Sequence, residues 1–157
     1  DGHIIGITGF AYDSTDENLV ENGKIEVYKY NEEENIWEKM GNTIYGENSW
    51  DWIGHNGFSL SSDGTILSVN SYFNDDKQNQ YDGYYRNTNN GFVKVFNYNG
   101  NDWVQMGSTL YGDVRSYFGV STCLSSDGKK IVIGSISDTV YYYEYLNNNW
   151  VQTTFPI

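Results

Sequence analysis

An internal repeat constrains the fold of this chain more than any other feature. The tetrapeptide Ser-Ser-Asp-Gly occurs at Ser61–Gly64 and again at Ser125–Gly128, and the sequence also opens on Asp-Gly. The spacing is 62 residues from Asp1 to Asp63 and 64 residues from Asp63 to Asp127. The sequence therefore divides into repeat units 1–62, 63–126 and 127–157.

Other segments recur in phase with the Asp-Gly pairs. Gly23–Tyr30 (GKIEVYKY) matches Gly91–Tyr98 (GFVKVFNY) and Thr139–Tyr145 (TVYYYEY). Further along, Trp37–Glu47 (WEKMGNTIYGE) matches Trp103–Asp113 (WVQMGSTLYGD), whereas the third unit keeps only WVQ. Similarity at a fixed period of this length is typical of repeat architectures.

Each unit carries the pattern of four β-strands. The chain is rich in strand-favouring aromatic residues, with 15 Tyr and 5 Trp, and Asp-Gly indicates a tight turn between the first and second strands. The segment around Ile25–Val27 alternates as a half-buried third strand does, and the repeated Trp marks the fourth strand. First strands are predicted at Gly57–Ser61 and Gly119–Ser125, and second strands at Ile4–Gly9, Ile66–Asn70 and Ile131–Ser135.

These blocks resemble the FG-GAP/integrin-α-like β-propeller repeat, in the variant with a Trp-x-x-x-Gly-x-x-Ile-x-Gly-Glu block. Tyr117–Ser135 is similar to that family's Phe-Gly start, first strand, Asp-Gly turn and second strand, and Gly91–Asp113 is similar to its third and fourth strands. The resemblance implies an all-β chain of β-propeller blades, each of four antiparallel strands, with about 2.75 blades present. The blades are expected at about residues 3–40, 57–106 and 118–154.

The number of blades predicts an incomplete ring within a single domain, residues 1–157. Propellers close with four to eight blades, so the remaining blades are expected from elsewhere. We expect the chain to be a fragment whose own protein supplies the rest of the propeller. The alternative is an architectural role, in which further copies of the chain complete the ring.

The repeated Asp-Gly and Trp positions are interpreted as structural. Asp accepts hydrogen bonds from nearby backbone amides and Gly takes a positive φ, so these pairs are expected to be hairpin turns rather than a ring of functional carboxylates. The tryptophans are expected to pack between neighbouring blades rather than to stack on sugars. The positions concerned are Asp63, Gly64, Asp127, Gly128, Trp37, Trp103 and Trp150.

Candidate ligand contacts lie in the loops. Trp50 stands where the next unit has Arg115 or Ser116, so it is a candidate for an exposed contact, whereas Trp52 aligns near Tyr117 or Phe118 and is expected in the core. The long loop of the second unit combines aromatic, acidic and basic residues, a mixture that suits protein or glycan contacts. Its candidates are Tyr81, Asp82, Tyr84, Tyr85 and Arg86.

Calcium is the one cofactor that the sequence makes possible. The acidic loops after the second strands offer the oxygen ligands that calcium takes, although a solvated acidic loop is the alternative interpretation. The candidate ligands are Asp13, Asp16, Glu17, Asp75 and Asp76. The Asp-x-Asp-x-Asp-Gly calcium loop of the resembled family is replaced here by the short Ser-Ser-Asp-Gly turn.

Several classes of function are disfavoured. The net charge of −12 repels nucleic-acid phosphates, and no apolar run approaches the roughly 20 residues that span a membrane. A single cysteine, Cys123, excludes an internal disulfide and is expected to be a small buried hydrophobic residue. His3 and His55 fall at different positions of the repeat, and no catalytic residue is predicted.

The sequence therefore predicts a non-catalytic binding or structural module that recognises protein or glycan through its inter-strand loops. Its expected location is extracellular, in a secreted, cell-surface or virion-surface protein. A carbohydrate-active propeller enzyme, either a glycosidase or a lyase, is one alternative, and the self-assembling architectural protein is the other.

Overall fold

The computed structural model describes residues 3–13, 19–73 and 89–154. Over these residues the chain forms thirteen β-strands and no helix, in three antiparallel sheets, none of which closes on itself. The all-β prediction is therefore confirmed. Sheet 1 contains β1 (Ile4–Gly9), β2 (Lys24–Asn31), β3 (Ile36–Lys39) and β4 (Ile44–Tyr45). Sheet 2 contains β5 (Phe58–Leu60), β6 (Ile66–Ser71), β7 (Phe92–Tyr98), β8 (Trp103–Gln105) and β9 (Leu110–Tyr111). Sheet 3 contains β10 (Ser121–Leu124), β11 (Lys130–Gly134), β12 (Val140–Leu146) and β13 (Asn149–Gln152).

The strands of each sheet lie side by side in chain order. The orders are β1-β2-β3, β5-β6-β7-β8 and β10-β11-β12-β13. In addition, the short strands β4 and β9 pair with β2 and β7, which the sequence did not predict. The chain turns back at Gly41 and Gly107, which have φ values of 71° and 76°, and this brings Ile44 and Leu110 onto the sheet.

The three sheets share one register, so equivalent residues can be assigned. In each sheet one tyrosine lies directly opposite the repeated tryptophan. The pairs are Tyr30 with Trp37, Tyr98 with Trp103, and Tyr145 with Trp150. Counting from these pairs gives two sets of equivalent positions on the second strands. They are Ile5, Leu67 and Ile131, and Ile7, Val69 and Ile133.

The core lies between the sheets, which stack face to face. One cluster joins sheet 1 to sheet 2, and a second joins sheet 2 to sheet 3. The first contains Ile25, Val27, Met40, Ile44, Ile53, Leu67, Val69 and Trp103. The second contains Ile66, Val93, Val95, Met106, Leu110, Phe118, Leu124, Ile131, Ile133, Tyr143 and Trp150. Each described sheet is therefore stabilised mainly by its neighbour in the chain.

The Asp-Gly turns also take part in this stacking. The Ser61 hydroxyl and the Thr65 amide donate to Asp63 Oδ1 at 2.6 and 3.0 Å, and these bonds hold the pKa of the Asp63 carboxyl below its ordinary value. Gly64 has a φ of 70°, and a Cβ there would overlap the side chain of Ile4 from sheet 1. The turn glycine thus satisfies two demands, a positive φ and the close approach of the neighbouring sheet.

The second Asp-Gly turn has the same construction. The Ser125 hydroxyl and the Lys129 amide donate to Asp127 Oδ1, and they lower the pKa of the Asp127 carboxyl. A Cβ on Gly128 would overlap Ile66 of sheet 2. The two turns are joined directly, because the Ser62 amide donates to the carbonyl of Ser126 at 2.9 Å.

Two of the three repeated tryptophans lie between sheets. Trp103 and Trp150 are 4% and 6% exposed, whereas Trp37 is 42% exposed. Trp37 lies on the face of sheet 1 that points away from sheet 2. Val27 faces sheet 2, and Tyr30, three residues further along the same strand, therefore faces the other way, together with Trp37 opposite it. Among the described residues no sheet covers that face, so the expected packing between blades does not extend to Trp37.

The prediction of a buried Cys123 is wrong, since this side chain is exposed. Side chains alternate along β10, and Thr122 and Leu124 face sheet 2. Cys123 therefore points to the opposite face of sheet 3, which no other described sheet covers.

Candidate binding surface

Aromatic side chains gather at one end of the stacked sheets, in the loops that follow the second strands and in those that lead into the first strands. We call this group the aromatic loop cluster. It consists of Phe10, Trp50, Trp52, His55, Tyr72, Phe73 and Tyr117. Because β1 and β6 end next to each other when sheets 1 and 2 stack, residues far apart in sequence meet here.

The ring contacts form a continuous chain across the loops of all three sheets. Trp52 is stacked on His55 at a centroid distance of 5.9 Å and meets the edge of Phe73 at 5.2 Å. Phe73 in turn contacts Tyr72 at 4.2 Å and Tyr117 at 5.9 Å. Such edge-to-face and offset contacts stabilise aromatic groups beyond the area that they bury. The cluster is therefore a fixed surface and not a set of separate side chains.

Polar bonds orient the rings. The Trp52 indole nitrogen donates to Glu21 Oε2 at 2.9 Å, and His55 Nδ1 lies 3.0 Å from the Tyr72 hydroxyl and 3.1 Å from Asn56 Oδ1. Burial raises the pKa of Tyr72, so its phenol stays protonated at neutral pH. The cluster thus presents aromatic rings with carboxylate and amide oxygens at its edge.

Trp50 is at the rim of the cluster and is held by its backbone. Its amide donates to the Val20 carbonyl at 2.8 Å, and the buried Asp51 carboxylate next to it accepts the amides of Glu47 and Asn48. Trp50 is 43% exposed, and its ring meets that of Trp52 edge to face at 6.3 Å. A rigid loop therefore presents an indole ring to solvent.

Comparison with the corresponding loop of the next unit shows which features are specific to the loop that carries Trp50. The amides of Trp52 and Tyr117 make equivalent bonds, to the carbonyls of Glu21 and Asn89, and both residues have positive φ values, 45° and 50°. Trp50 and Arg115 likewise have φ values of 65° and 61°. The strained backbone thus belongs to the repeat. The exposed indole is found in only one of these two loops.

This register places Trp52 at the position of Tyr117, one of its two predicted equivalents, and corrects the expectation that Trp52 lies in the core. The amides of Ile53 and Phe118 donate to the carbonyls of Asn22 and Asn90, so these two residues are equivalent. They are 1% and 0% exposed, and they fill the core position. Trp52 is half-buried in the aromatic loop cluster and is not a core residue.

The calcium candidates are only partly described. Asp13 Oδ1 accepts the Glu21 amide at 2.6 Å, so this carboxylate fixes the loop that leads to the aromatic loop cluster. The described ranges contain no group of three or more His, Cys, Asp or Glu side chains placed to hold a metal ion. The other candidates lie outside the described residues: Asp16, Glu17, Asp75 and Asp76.

The loop candidates of the second unit also lie outside the described residues. They are Tyr81, Asp82, Tyr84, Tyr85 and Arg86. The repeat pattern predicts Trp50 as a contact but does not bring together Phe10, His55, Tyr72 and Phe73. One signal was available, because Phe10 and Tyr72 both come directly after a second strand.

Comparison with protein-family models and with curated proteins finds no match for this chain. None of the described segments forms a helix of the length and apolarity that crossing a membrane requires.

Proposed function

We propose that this chain is a non-catalytic binding module that recognises a glycan or a protein through loops carried on FG-GAP-like β-propeller blades. The observation that supports the proposal most strongly is the aromatic loop cluster, with the exposed indole of Trp50 at its rim. Loops held on a rigid scaffold are common sites of recognition, and Trp and Tyr are the residues that dominate contact energies.

The proposal of β-propeller blades is supported by repetition in the stacking. Each Trp-bearing strand of sheets 2 and 3 packs on the Met-Gly pair of the sheet before it, with the same indole-to-carbonyl hydrogen bond. Radially repeated four-stranded sheets have contacts of this kind, each with its neighbour only. A location in a secreted, cell-surface or virion-surface protein is part of the same proposal.

A glycan is the ligand class to test first. Sugar rings have apolar faces that suit an exposed indole such as Trp50, and hydroxyls that suit oxygen acceptors. The Glu21 carboxylate and the Asn56 carboxamide lie beside Trp52 and His55. A protein ligand would use the same aromatic side chains as buried anchors.

A glycan array tests the proposal. The wild-type chain, Trp50→Ala and Trp37→Ala would be compared with calcium and with a chelator. Trp37 is a matched control, since it is 42% exposed against 43% for Trp50 and lies outside the aromatic loop cluster. We expect glycan binding by the wild type and Trp37→Ala, and its loss in Trp50→Ala. Equal binding by Trp50→Ala would contradict this surface, and no binding in either condition would contradict a glycan ligand.

A further inference from the structure

One face of sheet 1 exposes three residues, Ile5, Ile7 and Trp37, whose equivalents are buried in both other sheets. We call it the open face; it consists of these three residues and the half-buried Tyr28 and Tyr30. Ile5, Ile7 and Trp37 are 37%, 52% and 42% exposed. The equivalent residues of sheet 2, Leu67, Val69 and Trp103, are 0%, 0% and 4% exposed, and those of sheet 3, Ile131, Ile133 and Trp150, are 0%, 0% and 6% exposed.

Two interfaces within the chain show what covers such a face. The equivalent face of sheet 2 is covered by the Met40–Gly41 pair of sheet 1. The Trp103 indole nitrogen donates to the Met40 carbonyl at 2.7 Å, and a Cβ on Gly41 would lie 3.2 Å from the Trp103 ring. The equivalent face of sheet 3 is covered by the Met106–Gly107 pair, with the Trp150 indole nitrogen 2.8 Å from the Met106 carbonyl. The methionine-glycine pair thus forms a socket for the indole.

Charge complementarity across the first of these interfaces points to a further feature of the partner. Lys94, which is buried, pairs at 2.5 Å with Glu47 at the end of the sheet 1 repeat block. Glu26 occupies the equivalent position on the open face and is bonded to two lysines, Lys24 and Lys39, each at 3.0 Å. On the described part of the open face two lysines therefore share one carboxylate, where the interface between sheets 1 and 2 places a lysine opposite an acidic residue.

A second copy of the chain lacks the socket. The far face of sheet 3 has Thr153 and Thr154 where sheets 1 and 2 have methionine and glycine. The backbone confirms the equivalence, because the amides of Met40, Met106 and Thr153 donate to the carbonyls of Val27, Val95 and Tyr142. Lys130 also replaces the isoleucine that packs on the next Asp-Gly turn in sheets 1 and 2.

We propose that the open face of sheet 1 is a docking surface for a sheet of this same repeat type, one that presents a methionine-glycine pair to Trp37 and an acidic residue to Lys24 and Lys39. This docking surface is independent of the ligand site proposed at the aromatic loop cluster, since the two surfaces share no residue. The occupant is recognised by the socket and the acidic residue, and the far face of sheet 3 offers no such socket.

Sedimentation velocity with a grafted socket tests the proposal. The socket variant carries Lys130→Ile and has residues 153–157 replaced by the segment Met40–Glu47, which supplies both the socket and the acidic residue, together with Trp37→Ala so that it cannot polymerise. We expect the wild type to sediment alone as a monomer and to form a one-to-one complex with the socket variant. With Trp37→Ala in place of the wild type, we expect that complex to weaken by about 30-fold or more, because buried tryptophans dominate interface energies.

Two outcomes of sedimentation would overturn the proposal. One is a folded socket variant, by circular dichroism, that does not bind the wild type. The other is self-association of the wild type that Trp37→Ala abolishes, because the occupant would then be a second copy.

Thermal unfolding keeps the proposal testable even if the socket variant does not fold. Trp37→Ala is expected to leave the midpoint within about 2 °C of the wild type, whereas Trp103→Ala lowers it by about 10 °C or more. Equal shifts would place Trp37 in the core and overturn the open face.

Discussion

The indole nitrogen of Trp103 donates a 2.7 Å hydrogen bond to the carbonyl oxygen of Met40, a residue 63 positions earlier and in the neighbouring sheet. Trp150 makes the same bond to Met106 at 2.8 Å. Both indoles are almost completely buried. A single type of contact therefore joins sheet 1 to sheet 2 and sheet 2 to sheet 3.

This contact predicts unequal roles for the repeated tryptophans in stability. Trp103→Ala is expected to lower the free energy of unfolding by about 3–5 kcal/mol, because it removes a large buried ring and leaves the Met40 carbonyl without its donor. Trp37→Ala is expected to cost less than about 1 kcal/mol, because Trp37 is 42% exposed and lies outside the core clusters. Urea denaturation followed by circular dichroism measures both values, and equal losses would contradict the stacking.

Alanine substitutions at two glycines distinguish the cost of backbone strain from the cost of steric overlap. Gly64→Ala is expected to destabilise the chain by roughly 2–4 kcal/mol, because the new Cβ meets Ile4 and the φ is positive. Gly100→Ala is the matched control, since Gly100 also has a positive φ, 98°, but no atom lies within 4 Å of its added Cβ. Its expected cost is about 1 kcal/mol. Equal losses in urea denaturation would mean that Ile4 does not pack on the turn.

The carboxylates of the Asp-Gly turns are expected to act on stability alone. Asp63→Ala removes an acceptor of the Ser61 hydroxyl and the Thr65 amide and is expected to cost about 1–2 kcal/mol. Asp63→Asn keeps an acceptor oxygen and is expected to cost less. Isothermal titration with calcium provides the contrast: a calcium signal in the wild type that is absent from Asp63→Ala would show that the turn binds metal and contradict its structural role.

Glu26 gives the stability a dependence on pH. Bonds from Lys39, then Lys24, lower the pKa of its carboxyl from 4.5 to about 2. Because the pKa is lower in the folded chain, the stabilisation is complete above about pH 4.5 and is lost as the pH falls toward 2. At neutral pH we expect Glu26→Gln to lose roughly 1–2 kcal/mol relative to the wild type, and near pH 2 the difference should disappear.

The control for this prediction is Glu33→Gln, at an exposed position in the turn between β2 and β3. Urea midpoints of the three proteins, measured across this range of pH, check the prediction. A gap between the wild type and Glu26→Gln that stays constant from neutral pH to pH 2 would contradict it.

The repeat predicted the sheets because the turns and strands of each unit are determined by neighbouring residues in the sequence. Asp63–Gly64 forms a turn whatever surrounds it, and the strand β1 begins and ends at the predicted residues, Ile4 and Gly9. Cys123 was placed wrongly because its burial depends on which face of sheet 3 has a neighbour, and a strand pattern does not say this.

The candidate site was less predictable than the fold. Trp50 stood out because the next unit has a different residue there, but the contact of Phe73 with Tyr117 exists only when sheets 2 and 3 stack. Trp52 aligns with Tyr117, one of the two residues predicted for it, but the core position is filled by the next residue, Ile53. Contacts made across separate sheets are not encoded in any one segment.

Hydrogen exchange of the five tryptophan indoles, followed by NMR, tests the stacking most directly. The indole protons of Trp103 and Trp150 are expected to exchange only when the sheets separate, because both are buried and bonded to carbonyls. The indole protons of Trp37 and Trp50 are expected to exchange orders of magnitude faster, because both rings are exposed. Fast exchange at Trp103 and Trp150, or protection of Trp37 equal to theirs, would contradict this account of the fold.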